Sequence, residues 1–174
     1  MTADDPRRLV LLRHARAEHT TGADHVRPLA VEGRRQAQAV GATLAGLGLV
    51  PDLVLCSSAL RTRQTWELVR QGLGTPAGSP PVEVRDALYE SGLAELVALV
   101  GGAPADARTV LVVGHEPTIS MASAALAGPG SDEAVVARVR TGLPTAGWTL
   151  LTLGGGWPTL APRAAALVRA GSPD

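Results

Sequence analysis

The sequence predicts an α/β protein, and three stretches of the chain carry that prediction. Each is a run of aliphatic residues that ends in a polar side chain, as a buried strand does when it reaches the edge of a sheet. The three runs are 9–14, 51–57 and 109–115. A pattern typical of a helix follows the second and third runs closely and the first after a loop, as in a βα unit.

The first half of the chain alternates strand and helix. After the first run, residues 16–28 have no periodicity and are predicted to form a loop at the carboxyl end of the strand. Apolar residues three and four positions apart predict a helix over 32–47, with Gly48 at its C-terminal end. Residues 59–71 have helical propensity and follow the second strand. The Gly- and Pro-rich segment 72–81 is predicted to be a surface connection.

The second half begins in the same way and then changes. Residues 82–85 are predicted to form a short strand, and the apolar spacing over 93–100 predicts a helix. Pro117 suits the first turn of the helix after the third run. Beyond Gly130 the pattern predicts three further strands that complete the sheet, at 134–140, 147–153 and 164–169.

Length and composition predict one domain. With 174 residues the chain can bury a sizeable core as a single domain over 1–174, in which 1–7 are expected to be flexible and 170–174 to form a tail. The formal net charge of zero gives no basic footprint for nucleic acid or an anionic membrane surface. The single Cys56 excludes an internal disulfide and favours a reducing compartment. Without a long apolar run or a signal-peptide pattern, we expect a cytoplasmic protein that has no membrane partner.

Five polar residues follow the three predicted strand ends. They are Arg13, His14, Ser57, Arg61 and His115. Because parallel strands place their carboxyl ends at the same edge, we expect these side chains to meet. Two imidazoles and two guanidiniums in one cleft suit an oxyanion, since arginine offers a planar fork of donors that matches phosphate. The sequence therefore predicts a site for a phosphoryl group.

Other chemistries fit the same residues less well. The stretch that begins at His115 lacks the second histidine of a His-Glu-x-x-His zinc motif, because Ile119 stands in its place. We therefore expect no metal and no cofactor. Ser57 and Cys56 are further candidate nucleophiles, but neither lies in a Gly-x-Ser-x-Gly elbow, and Cys56 is inside an apolar run.

Three motifs in register resemble those of the histidine phosphatase superfamily. They are Leu-Leu-Arg-His-Ala at 11–15, Cys-Ser-Ser-Ala-Leu-Arg-Thr-Arg-Gln-Thr at 56–65 and Val-Val-Gly-His-Glu-Pro at 112–117. The resemblance also includes 24–29, 88–90 and 156–157. The resemblance extends from Leu9 to about Arg169. In length and in the details of its motifs, the chain most resembles the short bacterial phosphohistidine phosphatase branch of this superfamily.

This resemblance implies a phosphoglycerate-mutase-like fold, with three α/β/α layers and a mostly parallel central sheet that has helices on both faces. It also implies a metal-independent reaction through a phosphohistidine enzyme intermediate. His14 would be the nucleophile, while Arg13, Arg61 and His115 would hold the phosphoryl oxygens. Arg27 would be a further phosphate contact or a solvated loop arginine. Ser57 would orient the pocket or cap the following helix.

The proton donor for the leaving group and the substrate stay open. Glu90 and Glu18 are the candidate general acids, and Glu90 is the tentative choice. Imidazole is a fair leaving group, so the absence of a clear acid favours protein phosphohistidine as the substrate. The alternatives are a broad small-molecule phosphomonoesterase, a mutase-like enzyme, or a non-catalytic phosphate-binding module. The expected partner is a phosphorylated protein or small molecule, and the expected state is a monomer or small homo-oligomer.

Overall fold

The computed structural model describes residues 5–74, 78–90 and 92–173. Its strands are β1 Arg7–Arg13, β2 Leu53–Ser57, β3 Val82–Arg85, β4 Thr109–Gly114, β5 Trp148–Leu153 and β6 Ala166–Gly171. Its α-helices are α1 Val31–Gly46, α2 Leu60–Leu73, α3 Ala87–Glu90, α4 Leu93–Gly101, α5 Thr118–Leu126 and α6 Glu133–Val139. Short 3-10 helices cover Asp24–Val26 and Trp157–Thr159. No helix in the described ranges is both long and apolar enough to cross a lipid bilayer.

The six strands form one mixed sheet in the order β3-β2-β4-β1-β5-β6. β4 pairs in parallel with both β1 and β2, and β3 pairs in parallel with β2. β5 runs antiparallel to β1 and to β6. The register places Arg13 opposite Gly114, so β1 and β4 end at the same level. The predicted convergence of strand ends at one edge of the sheet is therefore confirmed.

Helices cover both faces of the sheet because alternate residues of each central strand point in opposite directions. In β1, Leu9 and Leu11 belong to a core with residues of α4, α5 and α6, whereas Val10 and Leu12 belong to a core with residues of α1 and α2. All four of these side chains are buried. Each such burial contributes about 1.5–3 kcal/mol. This arrangement confirms the three-layer α/β/α fold.

The helices α1 and α2 approach each other closely at two glycines. A Cβ atom on Gly41 would lie 2.2 Å from the carbonyl oxygen of Val69, and one on Gly72 would lie 2.3 Å from that of Gln38. A side chain at either position would therefore force the two backbones apart. The contact holds α2, which carries Arg61, against α1.

One predicted element is wrong: 134–140 is not a strand but lies largely in α6. The Asp132 side chain accepts hydrogen bonds from the backbone N–H groups of Ala134 and Val135 and so begins the helix. The β-branched valines of this segment suggested a strand, but packing of the helix against the core outweighs that preference.

The other boundaries differ only slightly from the predictions. β5 begins one residue later than the predicted 147–153. β6 begins two residues later than the predicted 164–169 and continues into the predicted tail 170–174. Arg7, within the predicted flexible 1–7, already belongs to β1. Residues 1–4, 174 and 75–77, the last within the predicted connection 72–81, lie outside the described residues.

Candidate active site

A cleft of about 410 Å³ opens beyond the carboxyl ends of β1, β2 and β4. Its lining side chains are all polar or charged apart from the ring of one tyrosine, and they are Arg13, His14, Asp24, Arg27, Arg61, Tyr89, Glu90, His115 and Glu116. The structure thus brings six predicted site residues into one cleft. Ser57, fully buried, contacts the cleft residue His115. Glu18 is not among the lining residues.

The backbone fixes His14 at the end of β1. Its N–H donates to the carbonyl oxygen of Gly114 at 2.9 Å, and its own carbonyl accepts from Ala146 N at 3.0 Å. The ring Nδ1 lies 2.8 Å from the carbonyl oxygen of Ala15. Because a carbonyl oxygen can only accept, Nδ1 carries the proton in the neutral ring and Nε2 keeps its lone pair. The side chain therefore presents a nucleophilic nitrogen to the cleft.

His14 is neutral at physiological pH. Burial, together with the neighbouring Arg61 and Arg13 guanidiniums, lowers the pKa of His14 to about 4, although its bond to Ala15 acts in the opposite direction. Only 9% of the residue is exposed. A neutral imidazole is the form that can attack an electrophile.

Arg61 lies in the first turn of α2 with its guanidinium against both histidines. Its Nε is 3.3 Å from His14 Nε2, and its Nη2 is 3.4 Å from His115 Nδ1. Its Nη1 donates to the backbone oxygen of Asp24 at 2.8 Å, and Nη2 also donates to the Asp24 carboxylate at 2.9 Å. Thr65, one turn along α2, accepts from the N–H of Ala15 at 3.0 Å and so ties the helix to the turn after His14.

Ser57 orients His115. The Ser57 hydroxyl lies 2.8 Å from His115 Nε2 and also accepts from the N–H of Ala59 at 3.4 Å. Ala59 is the N-cap residue of α2, and no side-chain hydrogen bond caps this helix, so Ser57 contacts the histidine and is not a helix cap. The two histidine ring centroids are 5.2 Å apart. Burial, with lesser contributions from His14 and Arg61, lowers the pKa of His115 to about 3. Both rings therefore line the cleft in their neutral form.

The remaining predicted arginines also lie at this cleft. Arg13 Nη1 donates to the carbonyl oxygen of Leu143 at 2.6 Å. Arg27 is an ion-pair partner of Asp24, with its Nε 3.0 Å from Oδ1, and its side chain is 24% exposed. Three guanidiniums therefore line the cleft, and guanidinium donors match the oxygens of a phosphoryl group.

Sequence reasoning missed three cleft residues, Asp24, Tyr89 and Glu116, as members of the site. The Tyr89 hydroxyl donates to Asp24 Oδ2 at 2.7 Å. That hydrogen bond and the ones from Arg61 lower the pKa of Asp24 to about 2. The spacing of three residues between Asp24 and Arg27 could have indicated a pair, but the contacts to Arg61 and Tyr89 join distant parts of the chain.

Two further carboxylates lie at the cleft, in different environments. Glu116 accepts from the N–H of Ser120 at 3.0 Å and from its hydroxyl at 2.6 Å, so it holds the start of α5. Glu90 is exposed at the end of α3. Among the described residues, no group of three or more His, Cys, Asp or Glu side chains is placed to hold a metal ion.

Comparison with known proteins identifies the family to which this cleft belongs. A sequence profile of the histidine phosphatase superfamily (branch 1) matches residues 9–99, which include Arg13, His14 and Arg61. The chain belongs to the histidine phosphatase superfamily. This chain is 38% identical to an uncharacterized protein of Mycobacterium tuberculosis over 159 residues. The match covers 90% of this chain and 96% of the relative.

Solved structures of histidine phosphatases share the whole fold. One of these is the structure of a candidate phosphohistidine phosphatase, SixA from Nakamurella multipartitia. It is 38% identical to this chain with a TM-score of 0.84, over 97% of this chain and 96% of that one. The protein histidine phosphatase SixA complexed with tungstate is 26% identical with a TM-score of 0.73, over 95% of this chain and 97% of that one.

Proposed function

We propose that this protein is a metal-independent phosphatase that hydrolyses protein phosphohistidine through a phosphohistidine intermediate on His14. The observation that carries the proposal is the fixed tautomer of His14, whose Nδ1 donates to Ala15 and whose Nε2 lies 3.3 Å from Arg61 Nε. A neutral, oriented imidazole beside guanidiniums is the arrangement that in-line attack on phosphorus requires.

In the first step, the lone pair of His14 Nε2 attacks phosphorus. The Nε2–P bond forms while the bond from phosphorus to the leaving nitrogen breaks on the opposite side. Arg13 and Arg61 hold phosphoryl oxygens, and His115 holds a third once the negative phosphoryl group favours its protonated form. The guanidiniums stabilise the charge that spreads over these oxygens in the transition state. The leaving imidazole nitrogen keeps the electron pair of the broken bond, takes up a proton from solvent water and departs as the neutral dephosphorylated side chain.

In the second step, water attacks the phosphorus of the intermediate. The P–Nε2 bond breaks, the electron pair returns to Nε2 and the water proton is lost, so phosphate leaves and His14 is neutral again. The cations around the phosphoryl group are arginines already in place, and this supports a reaction that needs no metal.

The SixA relatives and the open, polar cleft support phosphohistidine as the substrate. Proteins named as phosphohistidine phosphatases or protein histidine phosphatases share the fold over nearly the full chain. The binding of tungstate, a tetrahedral oxyanion, by one of them supports an oxyanion site here. A cleft lined by charged groups offers little apolar surface for a metabolite, whereas a phosphohistidine on a protein surface needs only its phosphoryl group to enter.

One observation favours a second candidate, a phosphomonoesterase for small molecules. Glu90 lies at the cleft, where a protonated carboxyl could supply the proton that a departing alkoxide needs. An imidazole leaving group has less need of such an acid. The two candidates therefore differ in how strongly turnover depends on Glu90.

The proposal is tested by offering the purified protein a phosphohistidine peptide and a panel of phosphate esters, with and without a chelator. We expect turnover of the peptide that the chelator does not change. His14→Ala should abolish turnover and also the acid-labile, base-stable phosphate labelling of the protein.

The matched control is His19→Ala, which removes an exposed histidine that does not line the cleft. This variant should keep both turnover and labelling. Loss of turnover on adding chelator would overturn the metal-free mechanism, and a fully active His14→Ala variant would overturn the assignment of the nucleophile. Tungstate binding without any turnover would indicate a phosphate-binding module instead.

A further inference from the structure

The guanidinium of Arg61 has two hydrogen-bonding edges, and they face different parts of the cleft. The edge formed by Nε and Nη2 faces the histidines, at 3.3 Å from His14 Nε2 and 3.4 Å from His115 Nδ1. The edge formed by Nη1 and Nη2 faces Asp24, at 2.8 Å from its backbone oxygen and 2.9 Å from its carboxylate. The contacts to Asp24 are the shorter pair, so this end of the guanidinium is the more firmly held.

Asp24 is itself fixed from two other sides. Its Oδ2 also accepts from the Tyr89 hydroxyl at 2.7 Å, and its Oδ1 lies 3.0 Å from Arg27 Nε. The Tyr89 ring lies with its centroid 5.9 Å from the carbon of the Arg61 guanidinium. Asp24 therefore has two arginines and a tyrosine as partners. These contacts fix its side chain even though 53% of it is exposed.

The charge of Asp24 opposes the ligand that the cleft is proposed to bind. A carboxylate close to a phosphoryl group repels it, so an aspartate placed here without another role would weaken the binding of anions. The geometry offers such a role. By holding the Nη1 and Nη2 edge, Asp24 directs the Nε and Nη2 edge at His14 Nε2 and His115 Nδ1, where the phosphoryl group would enter. This edge is a planar fork suited to two oxygens of one phosphoryl group.

We propose that Asp24 is a positioning residue, which orients the Arg61 fork towards the phosphoryl group that His14 attacks. This inference rests on the proposed function for its catalytic consequence. Its effect on oxyanion binding is separate, because the orientation of Arg61 is independent of any later chemistry. The competing account is that Asp24 merely occupies the cation site and must be displaced by the ligand.

The two accounts predict opposite signs when the carboxylate is removed. If Asp24 positions Arg61, Asp24→Ala should bind an oxyanion more weakly, because a loosely held guanidinium loses its alignment. If Asp24 only competes with the ligand, Asp24→Ala should bind it more tightly. Asp24→Asn keeps an oxygen that can accept from Arg61 but removes the charge, and so it separates geometry from electrostatics.

The experiment measures binding of sodium tungstate by isothermal titration calorimetry, together with kcat and KM for the phosphohistidine peptide. We expect Asp24→Ala to weaken tungstate binding about tenfold and to lower kcat, since small misplacements of a catalytic group are costly. Asp24→Asn should remain within about threefold of the wild type, as expected when the accepting oxygen is retained. In an Arg61→Ala background, Asp24→Ala should cause no further weakening, because the residue it positions is gone.

Glu32→Ala is the matched control. Glu32 also pairs with an arginine, Arg16, at 2.7 Å, and its side chain is 55% exposed, but it lies outside the cleft. This variant should bind tungstate as the wild type does. Unchanged or tighter binding by Asp24→Ala would overturn the positioning role, and so would equal weakening with and without Arg61. A wild type that binds tungstate but turns over nothing would overturn the proposed function alone, and one that does not bind tungstate would overturn both.

Discussion

His14 Nδ1 lies 2.8 Å from the carbonyl oxygen of Ala15, and this contact decides which ring nitrogen can react. Since the carbonyl accepts the Nδ1 proton, the lone pair belongs to Nε2, which faces Arg61. We expect the trapped enzyme intermediate to carry phosphate on Nε2. Phosphorus–nitrogen couplings measured by NMR on the ¹⁵N-labelled phosphoprotein check this, and a phosphate on Nδ1 would contradict the proposed attack.

The neutral histidines make the stability of the fold depend on pH. In the unfolded chain a histidine takes up its proton near pH 6.5, whereas burial lowers the pKa to about 4 for His14 and about 3 for His115. Between pH 6.5 and 4 the unfolded state therefore binds more protons, and the free energy of unfolding must fall as pH falls. His14 alone should account for about 2 kcal/mol between pH 7 and 5.

Urea denaturation at pH 7 and at pH 5 measures this difference. His14→Gln should show a smaller loss of stability between the two pH values than the wild type does, because the variant lacks one of the groups that titrate. An unchanged pH dependence in this variant would mean that His14 is protonated as readily in the folded protein as in the unfolded chain.

Ser57 gives a test of how the orientation of His115 affects the reaction. Ser57→Ala removes the hydroxyl 2.8 Å from His115 Nε2, so we expect kcat/KM for the phosphohistidine peptide to fall about tenfold as the ring loses its fixed position. Stability should fall by about 1–3 kcal/mol, because a buried hydrogen bond is lost. Discontinuous assays of released phosphate measure the change in kcat/KM, and thermal unfolding measures the change in stability.

Ser123→Ala is the matched control for this change. Ser123 is also fully buried, and its hydroxyl lies 2.7 Å from Thr149 Oγ1, away from the cleft. It should lose stability and keep kcat/KM per folded molecule. If both variants lose activity equally, the effect of Ser57 is one of folding and not of the orientation of His115.

Sequence patterns were enough to predict most helices and strands, which follow from the local spacing of apolar residues, and the site residues that lie at strand ends. The convergence of Arg13, His14, Arg61 and His115 follows from parallel strands that end at one edge, and the sequence contains that information directly. The partners of Asp24 could not be predicted in this way. The contacts of Asp24 join the 3-10 helix Asp24–Val26 to α2 and to α3, so they depend on the relative positions of these elements in the folded protein, which no sequence periodicity encodes.

The misassigned helix α6 has a different physical reason. Val135 and Val136 are β-branched, as is typical of strand residues. The segment is also so short that its apolar spacing agrees with the repeat of a helix as well as with that of a strand. The decisive feature is local, since Asp132 satisfies the first free N–H groups of the helix. A search for capping residues before measuring apolar spacing would have favoured the helix.

The contact between α1 and α2 predicts opposite effects for two glycines of the same helix. Gly41→Ala should destabilise the fold by about 1–3 kcal/mol, because the added methyl group would lie 2.2 Å from the Val69 carbonyl and force the helices apart. Gly46→Ala, where a Cβ atom would meet nothing within 4 Å, should stabilise it by about 0.5–1 kcal/mol. Chemical denaturation measures the free energy of unfolding of both variants. Equal changes in this free energy would argue against the close contact between α1 and α2.

Glu90 separates the two candidate substrate classes. Glu90→Gln keeps the shape of the side chain but cannot give up a proton, so we expect it to lower kcat for phosphate esters about a hundredfold, the usual size of a general acid effect. Phosphohistidine should be hydrolysed at nearly the wild-type rate, because imidazole leaves without that acid.

The comparison requires both substrates in one preparation of each variant, with esters of alcohols that differ in pKa. If Glu90 is the acid, the loss should grow as the pKa of the leaving alcohol rises, since the poorer leaving group depends more on the transferred proton. A loss of the same size for every ester and for phosphohistidine would mean that Glu90 acts through charge or packing at the cleft. The wild-type ratio of the two activities would then have to be explained by the arginines and by access to His14 alone.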